Sequence, residues 1–215
     1  MALARHLVLF TRCPRLGAGK KRLAAGIGQM QALRFQRVML AQAVLRLGRD
    51  SRWTTWLAVT PDRSGPWPSN IGILPQGGGD LGARMASCAR RLPPGPVLII
   101  GADIPGISAG EINRAFRLLR DRTAVFGPAA DGGYWAVGLR RRPHFIDPFR
   151  EVRWSSPHAL ADTMANLRGE PVAMLEVLED VDDAASLARQ ADWESLFARR
   201  PRRKVQTFQQ QPPPS

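Results

Sequence analysis

PVLIIGADIP, residues 96–105, begins as a continuous apolar segment and ends in a turn that carries one carboxylate. Its β-branched residues, Val97, Ile99 and Ile100, favour a strand that is buried on both faces, as the strands of parallel sheets are. Ligands of open α/β sheets bind beyond the carboxyl ends of the strands. Asp103 follows this strand directly, so we interpret it as a functional residue, with a turn cap as the structural alternative.

A second segment has the same construction. GPAADGGYW, residues 127–135, follows the apolar residues 124–127 and places Asp131 before two glycines. Asp-Gly is also a strong hairpin signal, so a hairpin turn and a functional loop are both compatible with this segment. Carboxylates at strand ends can hold a hard divalent cation, and such a cation typically serves a phosphate-bearing substrate. We therefore expect Asp103 and Asp131 to be catalytic and to hold the metal.

Strands and helices alternate along most of the chain. Apolar runs predict strands at residues 6–10, 54–60, 71–74, 96–102, 124–127, 134–139 and 172–178. Amphipathic spacing and N-cap residues predict helices at residues 29–47, 80–92, 108–119, 155 or 156 to 167, and 184–198. Ser108 and Glu111 form a capping box, and Pro157 suits the first turn of its helix. This order predicts an α/β fold with three α/β/α layers around a mainly parallel mixed sheet.

The chain of 215 residues is long enough for one domain with a sizeable core, which we place at residues 1–198. Residues 199–215 are basic and then rich in Gln and Pro, so we expect a disordered tail. No apolar run approaches the roughly 20 residues that cross a membrane, and we expect no secretory signal. Cys13 and Cys88 lack metal-ligand spacing and are interpreted as reduced thiols of a cytoplasmic protein.

The net charge of +13 raises the question of a nucleic-acid partner. Arginine is spread over the whole chain, and no aromatic residues alternate with it as they do in base-stacking surfaces. Nucleic acid is therefore not the expected partner. A non-catalytic protein that binds anionic ligands or nucleic acid nevertheless stays open as an alternative.

Two further Gly-rich loops carry candidate phosphate ligands. Residues 10–23 combine glycines with basic side chains, which favours a diphosphate, although the spacing is not that of a Walker motif. In residues 76–85 we expect Asp80 to cap a helix and Arg84 to face a phosphate. The candidate nucleotide-binding residues are Arg12, Gly17, Lys20, Arg22, Gly79, Gly82 and Arg84. Gly132, Gly133 and Tyr134 are candidate substrate-binding residues, with ordinary strand and turn roles as the alternative.

Four ordered motifs, at residues 14–23, 76–85, 100–105 and 127–135, resemble those of one known family. Trp154-Ser155 and Asp180-Val181-Asp182 extend the match, and the likeness covers residues 4–187. The chain resembles a small bacterial family of GT-A-type, nucleotide-diphospho-sugar-transferase-like glycosyltransferases. It is more distantly similar to the guanylyltransferases that build the molybdenum and deazaflavin cofactors.

The resemblance implies a nucleotide over the first half of the sheet, with Lys20 and Arg22 near its phosphates. It implies that Asp103 takes the place of the metal-holding acid of GT-A enzymes, and it adds Trp154 to the substrate-binding residues. The chain departs from the family in one respect that bears on the metal. It has a single Asp at this position, whereas many relatives with the GT-A fold have Asp-x-Asp.

The leading hypothesis is transfer of a sugar from a nucleoside-diphosphate sugar to an acceptor. Mg²⁺ or Mn²⁺ would bridge the diphosphate and Asp103, and Asp131 would complete the metal site or act as general base. The expected partner is thus a nucleotide or nucleotide sugar. Nucleotidyl transfer to a phosphorylated small molecule, as in guanylyltransferases, is the first alternative, and the non-catalytic binder is the second.

Overall fold

The structure, a computed structural model, describes residues 3–61, 65, 67 and 71–190. Within these ranges seven strands alternate with six helices. The strands are β1 His6–Arg12, β2 Thr54–Thr60, β3 Gly72–Pro75, β4 Val97–Gly101, β5 Ala124–Pro128, β6 Tyr134–Leu139 and β7 Val172–Met174. The helices are α1 Lys21–Ile27, α2 Gln29–Leu47, α3 Leu81–Arg91, α4 Ala109–Leu118, α5 Ala159–Ala165 and α6 Ala184–Arg189.

The strands form one sheet in the order β3-β2-β1-β4-β6-β5-β7. Strand β6 is antiparallel to both of its neighbours, and the other described pairs are parallel. The strands β1, β4, β5 and β7 therefore all end at the same edge of the sheet, which we call the carboxyl edge. Strand β6 begins there and ends at the opposite, amino edge.

The residues of each central strand alternate between two apolar cores. In β1, Leu7 and Leu9 pack in the core that contains α4, whereas Val8 packs in the core that contains α3. In β4, Leu98 and Ile100 likewise face away from Ile99. This two-residue period gives a sheet covered on both faces, which confirms the predicted three-layer α/β/α fold.

Most predicted elements are found, and two predicted caps are confirmed. Asp80 accepts a hydrogen bond from the Ala83 amide at 2.8 Å and begins α3. Ser108 and Glu111 form the capping box of α4. Helix α2 and strands β2 and β6 have the predicted bounds.

Three details differ from the prediction. Helix α1 was not expected from the sequence. Of its seven residues Leu23 is the buried one, and so short a helix depends on tertiary packing rather than on a local sequence pattern. Helix α5 begins at Ala159, so Pro157 precedes it, because Ser155 has a left-handed backbone with φ 56° that a helix start cannot accommodate. Strand β7 ends at Met174, although the chain continues beside β5 to a bridge between Ala129 and Leu178.

The remaining predictions concern membrane-spanning helices, the two cysteines and the C-terminal tail. Among the described residues, no helix has the length and apolar character needed to cross a membrane. Cys13 and Cys88 are buried and form no disulfide within that part of the chain. The last part of the predicted helix 184–198 and the tail at residues 199–215 lie outside the described residues.

Candidate functional site

Four loops meet at the carboxyl edge, and each brings one charged side chain. Lys20 lies in the loop after β1, Asp103 after β4, Asp131 after β5 and Asp182 after β7. They meet there because strands β1, β4, β5 and β7 run in the same direction. The reversed strand β6 makes the Asp131 loop a hairpin that turns back at this same edge.

Lys20 joins two of these loops through its ammonium group. Its Nζ lies 2.6 Å from Oδ2 of Asp103 and 2.7 Å from Oδ1 of Asp182. The lysine side chain is 9% exposed, whereas those of Asp103 and Asp182 are 37% and 44% exposed. Burial is the largest single influence on the pKa of Lys20 and acts to lower it, but the two carboxylates together outweigh burial and raise the pKa. Lys20 is therefore charged in the free protein.

Asp180 adds a further carboxylate to this edge. Burial, and then the charge of Asp182, raise the pKa of Asp180 to about 6, with smaller contributions from Asp103 and Asp131. Lys20 acts in the opposite direction. The charges of three other carboxylates thus act on Asp180, and the charge of Lys20 opposes them without cancelling the rise in its pKa.

These side chains line two adjoining cavities that form one cleft. The first, of about 490 Å³, contains Arg12, Lys20 and Arg84, and we call it the basic chamber. The second, of about 510 Å³, contains Arg22, Asp131 and Asp180, and we call it the acidic chamber. Both chambers are bordered by Leu81, Asp103, Trp154, Ser155 and Asp182. The predicted convergence of residues 20, 103 and 131 on one cleft is therefore present.

The Asp131 loop is a hairpin and also part of the acidic chamber. The Ala129 amide donates to the Gly133 carbonyl at 3.0 Å, and the Gly133 amide donates to Oδ1 of Asp131 at 2.9 Å. Oδ1 is thus used to hold the turn, whereas Oδ2 of this exposed residue is available to a ligand. Gly132 has φ +85°, and a Cβ there would lie 2.3 Å from the Pro157 carbonyl oxygen. Glycine is therefore required at 132 for the shape of the loop.

The aromatic residues of this region have different roles. Tyr134 lines the acidic chamber, but its hydroxyl lies 3.4 Å from Thr163 Oγ1 and burial raises its pKa. Trp135 is 3% exposed and donates to the Glu176 carbonyl, so it is a core residue. Trp154 borders both chambers and packs edge-on against Tyr134 at 6.4 Å between ring centroids. Its position fits contact with a sugar or base better than that of Trp135.

The predicted glycines mostly shape the loops. Gly17 lies with Arg15 and Lys21 at a third cavity, which shares Gly19 and Gln36 with the basic chamber. The Gly79 carbonyl accepts a hydrogen bond from Arg84 Nε at 2.9 Å, which holds that arginine. A Cβ at Gly82 would lie 2.6 Å from Trp154, so this glycine lets α3 approach the indole.

Sequence reasoning assigned no role to three residues that the structure places at the cleft. Asp180 and Asp182 follow β7 as Asp103 follows β4, so the rule for strand ends would have indicated them. Gln76 is 1% exposed and borders the basic chamber. Its amide donates to the carbonyls of Thr11 at 2.9 Å and Ala58 at 3.0 Å, which fixes the ends of β1 and β2.

The donors at this edge suit a hard cation in their chemistry. Carboxylate oxygens are the ligands that Mg²⁺ and Mn²⁺ prefer. Within the described part of the chain, no three His, Cys, Asp or Glu side chains are arranged to hold a metal ion. The Lys20 ammonium lies between two of the carboxylates, as a stand-in for such a cation. The residues therefore fit a divalent cation if Lys20 leaves this position.

Sequence comparison identifies one family. Residues 34–156, more than half of the chain, match the family described as “Uncharacterized protein conserved in bacteria (DUF2064)”. No curated protein shows significant similarity to the chain.

Comparison with solved structures agrees with the predicted fold. A protein of Desulfovibrio desulfuricans G20 described as a “putative nucleotide-diphospho-sugar transferase” has a TM-score of 0.78 and 23% identity over 91% of this chain and 94% of that chain. A CMP:2-keto-3-deoxy-manno-octonic acid synthetase complexed with CTP has a TM-score of 0.54 and 12% identity, over 91% and 99%. A Mycobacterium tuberculosis H37Rv protein solved in complex with manganese has a TM-score of 0.51 and 16% identity, over 88% and 98%. The shared feature is the nucleotide-diphospho-sugar-transferase-like fold.

Proposed function

The chain belongs to the DUF2064 family, and from the geometry of its cleft we propose that it is a glycosyltransferase acting on a nucleoside-diphosphate sugar. The observation that supports this most strongly is the single cleft bordered by Asp103, with Arg12, Lys20 and Arg84 in one chamber and Asp131 and Asp180 in the other. A nucleoside-diphosphate sugar has a charged diphosphate and a neutral sugar, so its two parts suit two chambers that differ in charge.

The basic chamber is the proposed diphosphate site. Arg12, Lys20 and Arg84 lie around it, and arginine binds phosphate oxygens through paired N–H groups. These cations stabilise the charge that develops on the diphosphate as its bond to the sugar breaks. Arg84 is held for this task by the Gly79 carbonyl.

The acidic chamber is the proposed site of the sugar and the acceptor. The acceptor hydroxyl attacks the anomeric carbon, a carbon–oxygen bond forms, and the bond from that carbon to the diphosphate breaks. Oδ2 of Asp131 receives the hydroxyl proton as general base, while Oδ1 keeps the turn in place. Trp154, at the border of the chambers, contacts the sugar.

We further propose that Asp103 and Asp182 hold Mg²⁺ or Mn²⁺. A divalent cation at this position would act as a Lewis acid on the leaving diphosphate. The solved complex of a structural neighbour with manganese is consistent with this assignment. Asp180, whose pKa is raised by burial and then by the surrounding carboxylates, would gain a compensating charge.

Nucleotidyl transfer is the second candidate function, because a structural neighbour of this fold was solved with CTP. In that reaction a phosphorylated acceptor attacks the α-phosphate of a nucleoside triphosphate and pyrophosphate leaves. The same cations and carboxylates would serve it.

A ligand panel tests the proposal. The full chain is mixed with Mn²⁺ and each common nucleoside diphosphate, triphosphate and diphospho-sugar, and its melting temperature is measured, because a ligand of the native state raises it. We expect diphospho-sugars to raise it, and slow release of the corresponding nucleoside diphosphate to follow. Binding of triphosphates alone, with release of pyrophosphate, would instead favour nucleotidyl transfer. If no nucleotide raises the melting temperature, both functions are excluded.

A further inference from the structure

Lys20 occupies an unusual position for a lysine. Its backbone is left-handed, with φ 42° and ψ 43°, and it caps α1 without a side-chain hydrogen bond to that helix. Such a conformation costs a non-glycine residue about 1 kcal/mol or more. The side chain turns instead to two carboxylates on loops that are 83 and 162 positions away along the chain, counted from residue 20 to 103 and to 182.

This arrangement closes the cation site in the free protein. The ammonium takes one oxygen of Asp103 and one of Asp182, the two residues proposed to hold the metal. A divalent cation within bonding distance of both carboxylates would lie close to the ammonium and repel it. Lys20 and the metal therefore cannot both bind strongly to these two carboxylate oxygens at the same time.

We propose that Lys20 competes with the divalent cation for Asp103 and Asp182, and that a diphosphate relieves the competition by accepting the Lys20 ammonium. The inference rests on the proposed function and adds to it a coupling between the binding of the metal and the binding of the diphosphate. Metal and diphosphate bind synergistically, each raising the affinity for the other by the same factor.

The surroundings of Lys20 give the ammonium a second place to go. Lys20 borders the basic chamber with Arg12 and Arg84, where the diphosphate is proposed to bind. The four-carbon lysine side chain can move its charge between adjacent partners by rotation about single bonds. The carboxylates are then left to the cation, while the ammonium stabilises the phosphate oxygens.

Charge explains why neither ligand suffices alone. A metal without diphosphate must displace the ammonium from both of its carboxylate partners, with no diphosphate in the basic chamber to receive it. A diphosphate without metal meets Asp103 and Asp182 at the border of its chamber, together with the acidic chamber beyond. When the metal and the diphosphate bind together, their opposite charges compensate each other. Each ligand then removes the unfavourable interaction that the other would meet alone.

The test compares four proteins with probes that need no knowledge of the base or sugar. Mn²⁺ affinity is measured by titration calorimetry and by loss of the free Mn²⁺ electron-spin resonance, without and with inorganic pyrophosphate, each against a protein-free sample because pyrophosphate itself chelates Mn²⁺. The proteins are the unaltered chain, Lys20→Met, Lys20→Arg and Lys21→Met. Lys21 is the matched control, since it is the next residue, carries the same charge, and lines the third cavity but not the basic chamber.

Lys20→Met should bind Mn²⁺ alone on the order of ten- to a hundredfold more tightly than the unaltered chain. Pyrophosphate should raise the Mn²⁺ affinity of the unaltered chain and of Lys21→Met by a larger factor than that of Lys20→Met, in which only the direct attraction between cation and pyrophosphate remains. Lys20→Arg, which keeps the charge, should resemble the unaltered chain. Lys20→Gln replaces Lys20→Met if the latter does not fold, because its amide can donate hydrogen bonds to the same carboxylates.

The possible failures are distinguishable. If the unaltered chain binds Mn²⁺ with pyrophosphate but Lys20→Met binds Mn²⁺ no more tightly than Lys21→Met, the competition is wrong and the proposed function stands. If no protein binds either probe, both proposals are overturned.

Discussion

Lys20 and Arg141 are both cations withdrawn from solvent, but they lie at opposite edges of the sheet and have different kinds of partner. Lys20, at the carboxyl edge, is bound by two carboxylates that remain more than a third exposed. Arg141 follows β6 at the amino edge and donates to four backbone carbonyls in the last turn of α3 and the segment after it, those of Ala89, Leu92, Pro93 and Gly95. Burial lowers the pKa of Arg141, whereas carboxylates raise that of Lys20.

The partners decide what each cation can do. Backbone carbonyls at a helix end cannot move without unfolding the helix end, so Arg141 is a fixed structural cap. Exposed carboxylates can exchange one cation for another, so the contacts of Lys20 can be replaced by a ligand. We therefore expect mutations at the carboxyl edge to alter binding and those at the amino edge to alter stability.

Asp103→Asn gives the largest expected effect. It removes the charge of a proposed metal ligand without changing its shape, so Mn²⁺-supported binding of pyrophosphate should weaken by about a hundredfold or more. Titration calorimetry measures the loss. Asp50→Asn is the control, since Asp50 is also paired with a cation, Arg52, but lies before β2 at the amino edge, away from the cleft. Equal binding by Asp103→Asn and the unaltered chain would remove the assignment of Asp103.

Arg141→Met should destabilise the fold by about 2 kcal/mol, because several carbonyls at the end of α3 lose their donor. Urea denaturation measures the change, and Mn²⁺ affinity should stay the same. Arg142→Met is the matched control, because Arg142 is exposed and should cost little. A loss of ligand binding without a loss of stability would contradict the division between the two edges.

Gly132→Ala should destabilise the Asp131 loop by about 1 kcal/mol more than Gly169→Ala does. Both glycines have nearly the same positive φ, +85° and +89°. A Cβ at 132 would lie 2.3 Å from the Pro157 carbonyl oxygen, whereas a Cβ at 169 would have no neighbour within 4 Å. The two variants thus separate steric contact from backbone strain. Equal free energies of unfolding for the two variants would show that the Asp131 loop accommodates the added methyl group without loss of stability.

The smallest of the expected effects is a pH dependence of the free energy of unfolding, which arises at the amino edge. His6 is 2% exposed, and burial, followed by the charge of Arg141, lowers its pKa below 6.5. Neutral His6 stabilises the fold above pH 6.5, and this contribution is lost as the pH falls through the lowered pKa. His6→Gln should therefore reduce the decline in the free energy of unfolding between pH 7 and about pH 5 by roughly 1 kcal/mol or less. Urea denaturation of both proteins at each pH tests this, and parallel curves would contradict it.

The sequence predicts the layers of the fold because local patterns carry that information. The continuous apolar run at β4 and the caps Asp80 and Ser108 depend only on neighbouring residues. Asp103 and Asp131 could be placed at strand ends for the same reason. The short helix α1 has no such pattern, since its buried residue Leu23 packs against Phe35 and Val181, which are distant in sequence.

The tertiary structure alone brings Lys20 to Asp182, because strand order and direction are not written in any single segment. The reversal of β6 is the clearest case. It turns the Asp131 loop to the same edge as Asp103 and sends Arg141 to the opposite one. From the sequence, Lys20 and Arg141 are both basic residues in polar loops. Only packing decides that one meets carboxylates that can exchange ligands and the other meets the fixed carbonyls of a helix end.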